Sequence, residues 1–271
     1  MALLLILASI SSTLLHAEGR DPRRSRAASE EAKRRSEAIR AETAELPAEH
    51  WAGEYYAGDG LGVNLSLYLA PEAGFVFEWH GCLGLYDRNL GRVTWKGDHL
   101  TLEPVFENNQ EGLSGTPLDF RWVRWGARSY LLPNGDVASF CNGLNSGGEP
   151  GARLRKRDQD QPVASIDLLP ADIRACVRLE PVIGRVTDVE LGPIGDGVGE
   201  WRYRDGVAQV DFGVSQAPFV GMELYFDVDE VLSATVASVA GARATVEFIL
   251  RADDSPPEVG VAVSSRPRWA D

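Results

Sequence analysis

From Trp51 onward, apolar and polar residues alternate with a period of two in many short stretches separated by turn residues. That pattern restricts the chain to antiparallel β structure. "LGVNLSLYL" sets Val63, Leu65, Leu67 and Leu69 on one face and Asn64, Ser66 and Tyr68 on the other. "GFVFEWHGC" sets Phe75, Phe77 and Trp79 against Val76, Glu78, His80 and Cys82. "RVTWKGDHLTLEP" reads as a hairpin turning at Gly97-Asp98, and "ATVASVAGARATVEFIL" as one turning at Ala240-Gly241-Ala242. Short strands are also expected at 118–125, 128–132, 182–189, 199–204, 206–212, 221–227 and 259–265. The expected fold class is therefore mainly β, with two antiparallel β domains. A meander closing as a barrel or sandwich occupies residues 47–152, and a small β-barrel occupies 163–271. Between them "RLRKRDQDQP", residues 153–162, is charged and apolar-poor and reads as a linker. "LLPADIRACVRLEP" reads as one short helix with Pro170 in its first turn.

The segment before Trp51 has a different composition. Ala2–Leu15 is apolar, too short to span a bilayer as a helix, and suits a signal peptide over residues 1–17 with cleavage after Ala17. An uncleaved anchor is the alternative. No other segment is long and apolar enough to be a membrane-spanning helix, so none is expected in the mature chain. Residues 18–46 form a helical or disordered arm, rich in helix formers and stopped at Leu46-Pro47. Its apolar stripe is alanine with Ile39, so a solvated helix is the expected reading.

Of the chain's net charge of −13, the stretch from Glu18 to Arg40 carries +3 and residues 41–271 carry −16. So acidic a body repels phosphate backbones, and no basic stripe with interleaved aromatics is present, which argues against nucleic acid as a partner. Lysine occurs only at positions 33, 96 and 156, the pattern of a GC-rich bacterial genome.

The chemistry-bearing stretch is "EWHGCLGLYDRN", residues 78–89. A cysteine nucleophile needs an imidazole within hydrogen-bond reach, but i and i+2 on a strand lie ~6.5–7 Å apart. His80 is thus a poor base for Cys82 unless Gly81 kinks the strand. A metal held by His80 would need further ligands, and no Cys-x-x-Cys or His-x-x-x-His spacing supplies them. No cofactor or metal is expected. In an exported protein two cysteines in one domain usually pair, so a Cys82–Cys141 disulfide is expected, with Cys176 left as a buried thiol. If a polar site exists, Asp59, Glu78, His80, Asp87, Arg88 and Asn89 are the residues expected to converge.

"GEYYAGDGLGVNLSLYLAPEAGFVFEWHGCLGLYDRNLG", "WGARSYLLP" and "FCNGLNSGGEPG" resemble a family of uncharacterised exported bacterial proteins over residues 53 to about 155. The resemblance implies that "HGCLGLYD" and "FCNGLNSG" belong together, and it implies no activity. The opening Trp51-Ala52-Gly53-Glu54-Tyr55 is similar to lipocalin-like barrels at the level of fold, though the Gly-x-Trp order is absent. The expectation is a periplasmic or extracellular, non-enzymatic binding or structural protein, its partner a small ligand or an envelope protein. The alternatives are a hydrolase using Cys82 or a His80-held metal, and a small-ligand carrier lined by Tyr55, Tyr68, Phe77 and Trp79.

Overall fold

A computed structural model describes residues 22–58, 62–105, 116–195, 202–213, 217–228 and 232–267. The apolar N-terminal run and Asp59 lie outside those residues. The chain is mainly β and divides into two compact units. The first takes the described residues through Gly135 and then Ala152–Leu168; the second takes Asp136–Gly151 and the described residues from Leu169 on.

The first unit opens with helix α1 (Pro22–Glu45) and continues into strands β1 (Gly53–Gly58), β2 (Asn64–Ala70), β3 (Gly74–Gly81), β4 (Gly84–Lys96), β5 (His99–Val105), β6 (Asp119–Trp125), β7 (Arg128–Pro133) and β8 (Arg153–Arg155). Each strand pairs antiparallel with the next, and β8 returns to β1, closing an eight-stranded barrel. Closure removes the free edges that an open meander would leave.

The expected linker is thus corrected in part. Arg153–Arg155 closes the barrel, and a 3₁₀ turn follows at Lys156–Asp158. The stretch read as linker because its residues are charged, yet Arg153, Arg155 and Asp158 are all buried.

Alternation sets what faces inward. Tyr55, Leu67, Leu69, Phe75, Phe77, Leu100, Leu102, Phe120 and Leu131 form the apolar interior. At the end where β1 begins, Trp51 stacks on Trp95 with ring centroids 5.3 Å apart, and Trp122 meets Trp95 edge-on at 5.9 Å. The buried Tyr55 hydroxyl donates to the Trp51 carbonyl at 2.6 Å. Aromatic side chains therefore plug this end.

The arm is not the solvated helix expected. Ala32 and Ile39, two turns apart on α1, are buried against Ala70, Val76 and Leu90 on the outer wall of the barrel. Arg35 Nη1 donates to the carbonyls of Ala73 (3.1 Å) and Gly91 (2.6 Å). Two turns further on, the Glu42 carboxylate accepts from the backbone N–H groups of Glu72 and Ala73. A stripe of only two residues suffices because these charge-assisted clamps fix the β2–β3 turn on either side of it.

The second unit begins with α2 (Val137–Asn145), supplied from the connection between β7 and β8, and adds α3 (Ala171–Cys176). Its strands are β9 (Ile183–Ile194), β10 (Tyr203–Asp211), β11 (Glu223–Phe226), β12 (Ser233–Ala240), β13 (Arg243–Arg251) and β14 (Ala262–Ser264). They close as a barrel in the order β10-β13-β12-β11-β14-β9. Every fully buried residue on these strands is apolar or glycine, with Val186, Val210, Leu224, Phe226, Val246 and Phe248 at the centre. Among the described residues no helix is long and apolar enough to cross a membrane.

Candidate functional site

The stretch singled out in the sequence forms the β3–β4 hairpin, and alternation divides its polar residues between two environments. Glu78, His80 and Arg88 point outward. Arg88 Nε donates to Glu78 Oε1 at 2.9 Å, His80 Nε2 lies 3.3 Å from Glu78 Oε2, and Arg88 Nη1 donates to Ser29 Oγ of α1 at 3.0 Å. Glu78 and Arg88 line a charged groove of about 400 Å³ between α1 and the barrel wall, with Lys33, Glu37, Arg40 and Tyr68. Tyr68, expected to line the barrel, thus faces outward, under the Arg40 guanidinium at 5.8 Å.

Asp87 and Asn89 point inward instead, opposite Trp79 and Phe77 in the β3–β4 register. Both are buried, and Asn89 Nδ2 donates to Asp87 Oδ1 at 3.4 Å. A register shift between Trp79 and His80 marks the irregularity that sends the hairpin tip away from the strand line. The tip itself is exposed, with Cys82, Leu83 and Leu85 in solvent and Gly84 at φ +106° making the turn. The six expected polar residues therefore do not converge. Glu78, His80 and Arg88 stand outside the barrel, Asp87 and Asn89 stand inside, and Asp59 lies outside the described residues.

The expected Cys82–Cys141 disulfide is corrected: all three cysteines are free thiols. Cys82 is exposed on the hairpin of the first unit, whereas Cys141 is buried in the second unit. There Cys141 Sγ donates to the Ile173 carbonyl at 3.4 Å, and its thiol shares a hydrogen bond with Cys176. Burial, with Cys176 beside it, pushes the Cys141 thiol up to about 12. An inert packing role follows for a thiol so raised.

The "FCNGLN" stretch has an equally structural account. Asn142 donates to the Gly221 carbonyl (2.9 Å) and accepts from the Glu223 N–H (3.0 Å), while Asn145 donates to the Cys176 carbonyl (3.2 Å) and accepts from the Arg178 N–H (2.7 Å). Two amides spaced one turn apart on α2 thereby clamp two backbone segments of the second unit. "HGCLGLYD" and "FCNGLNSG" consequently serve different units.

The residues that sequence reasoning missed are on β8. Arg155 lies opposite Tyr55 and Arg153 opposite Leu131, so both face the barrel interior. Arg155 is fully engaged: Nε donates to Asp158 Oδ2 at 2.8 Å, Nη1 to the His50 carbonyl and Nη2 to the Ala48 carbonyl. Asp158 Oδ2 also accepts from the Ser129 N–H. Arg153 is 4 % exposed and its guanidinium lies 5.7 Å from the Phe120 ring. Its Nη2 donates to Thr116 Oγ1 at 2.8 Å, and its Nη1 is buried with no hydrogen-bond partner. Burial holds this guanidinium down at about 10.

Strand direction places these groups along the barrel. Arg153 is toward the β3–β4 hairpin end and Arg155 toward the tryptophan-plugged end, because β8 runs antiparallel to β1. At the hairpin end the inward set is Leu65, Trp79, Asp87 and Arg153, and the Trp79 indole N–H is also buried without a partner. Among the described residues no group of three His, Cys, Asp or Glu side chains could hold a metal ion. No protein family, curated protein or solved structure matches this chain.

Proposed function

We propose that this is an exported, non-enzymatic protein of the bacterial envelope that binds a small molecule inside its first barrel. One observation carries the reading. Among the described residues, the buried side chains on the strands of the second barrel are all apolar, whereas the first holds Asp87, Asn89 and Arg153 among its buried inward groups. Burying polar and charged groups costs free energy and does nothing for a core whose only task is to hold a fold. The asymmetry along the first barrel supports the same reading: tryptophans plug one end, and Asp87 and Arg153 are buried toward the other. Apolar walls with a few placed polar groups are the make-up that small-molecule sites require. The apolar run before Ala17 supports export.

Titration of the full chain with the neutral solvatochromic dye N-phenyl-1-naphthylamine tests this. Saturable, stoichiometric binding is expected, with quenching of Trp79. Leu65→Trp, which fills the hairpin end, is expected to abolish it while the far-ultraviolet dichroism stays that of the wild type. Absence of saturable binding to the wild type would overturn the reading.

A further inference from the structure

Resting on the reading of the first barrel as a ligand-binding element, we infer that Arg153 is the anchor for an organic monocarboxylate with an apolar body, whose carboxylate takes the free Nη1 edge of the guanidinium.

The argument begins with what Arg153 lacks. Among the described residues it forms no ion pair, and its hydrogen bond to a neutral hydroxyl, Thr116 Oγ1, leaves Nη1 open. The contrast with Arg155 on the same strand and the same side is direct: there a carboxylate and two carbonyls satisfy the guanidinium. The other buried arginine of this unit, Arg128, donates to the Gln161 carbonyl and the Tyr130 hydroxyl. An uncompensated buried charge is strongly destabilising, so one that persists beside fully satisfied neighbours marks a place for an absent counter-charge.

The class of that counter-charge follows from the surroundings. Phe120 lies under the guanidinium, and Leu65, Trp79 and Leu118 belong to the apolar set packed on the same core, so the rest of the ligand meets hydrocarbon and ring faces. Asp87, buried on the inner face at the same end, disfavours a second negative charge. A dianion such as phosphate is thereby selected against, while the planar guanidinium edge matches a carboxylate.

The experiment uses the full chain and three matched pairs: hexanoate with hexanol, decanoate with decanol, and phenylacetate with 2-phenylethanol. Inorganic phosphate serves as the anion alone. Binding is read by calorimetry and by the shift in melting temperature. At least one carboxylate is expected to bind about tenfold or more tightly than its alcohol, the scale of a charge-assisted hydrogen bond. Arg153→Met is expected to erase that preference and to melt at or above the ligand-free wild type, because it removes a buried charge without a partner. Arg153→Lys, which keeps the charge and loses the planar edge, is expected to fall between the two. The wild-type preference needs no variant, so a poorly folding Arg153→Met leaves the test intact. Equal binding of carboxylates and alcohols overturns the anchor and leaves the barrel a binding element. Binding of phosphate as tight as that of the best carboxylate overturns the organic class. Binding of none of the probes, together with no dye uptake, overturns both readings.

Discussion

Two arginines two residues apart show how position alone decides the fate of a charge. Arg155 is tied to Asp158 and to two carbonyls near the plugged end, whereas Arg153 meets a hydroxyl and a ring. Cys141 is another buried ionisable group with a measurable consequence. Its thiol is raised from an ordinary value near 9 to about 12, chiefly by burial and then by Cys176. A raised thiol keeps its proton in the fold when the unfolded chain has already lost it. Its contribution to stability is therefore complete below about pH 9 and is lost as pH rises toward 12. Over that window one such group lowers the unfolding free energy by at most ~1.4 kcal/mol per pH unit. Urea unfolding at pH 8, 9, 10 and 11 is the measurement. The fall in midpoint is expected to be shallower in Cys141→Ala than in the wild type, and parallel slopes would show that the buried thiol does not titrate with unfolding.

At the level of elements, the barrel wall is the surface on which α1 folds. Ile39 fills the outer-wall cluster with Ala70, Val76 and Leu90, and the Arg35 and Glu42 clamps flank it. Ile39→Ala is expected to cost about 2–5 kcal/mol, the range for truncating a buried isoleucine. If α1 instead frays independently of the barrel, the urea midpoint will not move and only protease cleavage within residues 26–45 will accelerate. The strands of the meander were legible because alternation is a local signal: the turn at Gly97-Asp98 and the β12–β13 hairpin stand where the pattern puts them. Two elements were misread for opposite reasons. In β8 the polarity is inverted, with Arg153 and Arg155 inside and Leu154 only half-buried, so a period-two reading finds no apolar face to place. In α2 the signal is present and conventional. Asp136 caps the helix by accepting from the Ser139 N–H, Phe140, Cys141 and Leu144 recur at helical spacing, and Gly147 at φ +86° ends it. The β domain expected at 47–152 assigns no helix to this stretch. The candidate site was half legible. Asp87 and Asn89 were named, but whether an alternating polar residue faces solvent or lumen depends on closure by β8, which no local pattern reports.

The whole molecule is assembled out of sequence order. The contiguous domains expected at 47–152 and 163–271 exchange a segment: Asp136–Gly151 belongs with the second unit, while Ala152–Leu168 returns to the first. Strand register makes the excursion unnecessary for the first barrel. Leu131 pairs with Arg153, so the ends of β7 and β8 lie side by side and a short turn could join them. What the excursion supplies is α2, with buried Phe140 and Cys141 and the amide clamps of Asn142 and Asn145, all spent on the second unit. Replacing residues 136–151 by a short Gly/Ser turn separates the two contributions. The β1–β8 amides are expected to keep their protection from hydrogen exchange, because every ladder of that barrel survives. The Glu223 and Arg178 amides, which donate to the Asn142 and Asn145 side chains, are expected to exchange faster, with exposure of the surface that Phe140 covers. Loss of protection throughout β1–β8 would instead mean that the first barrel needs α2 to close. Arg153 opens the strand that follows this excursion, so persistence of carboxylate binding in the shortened chain would also locate the anchor wholly within the first unit.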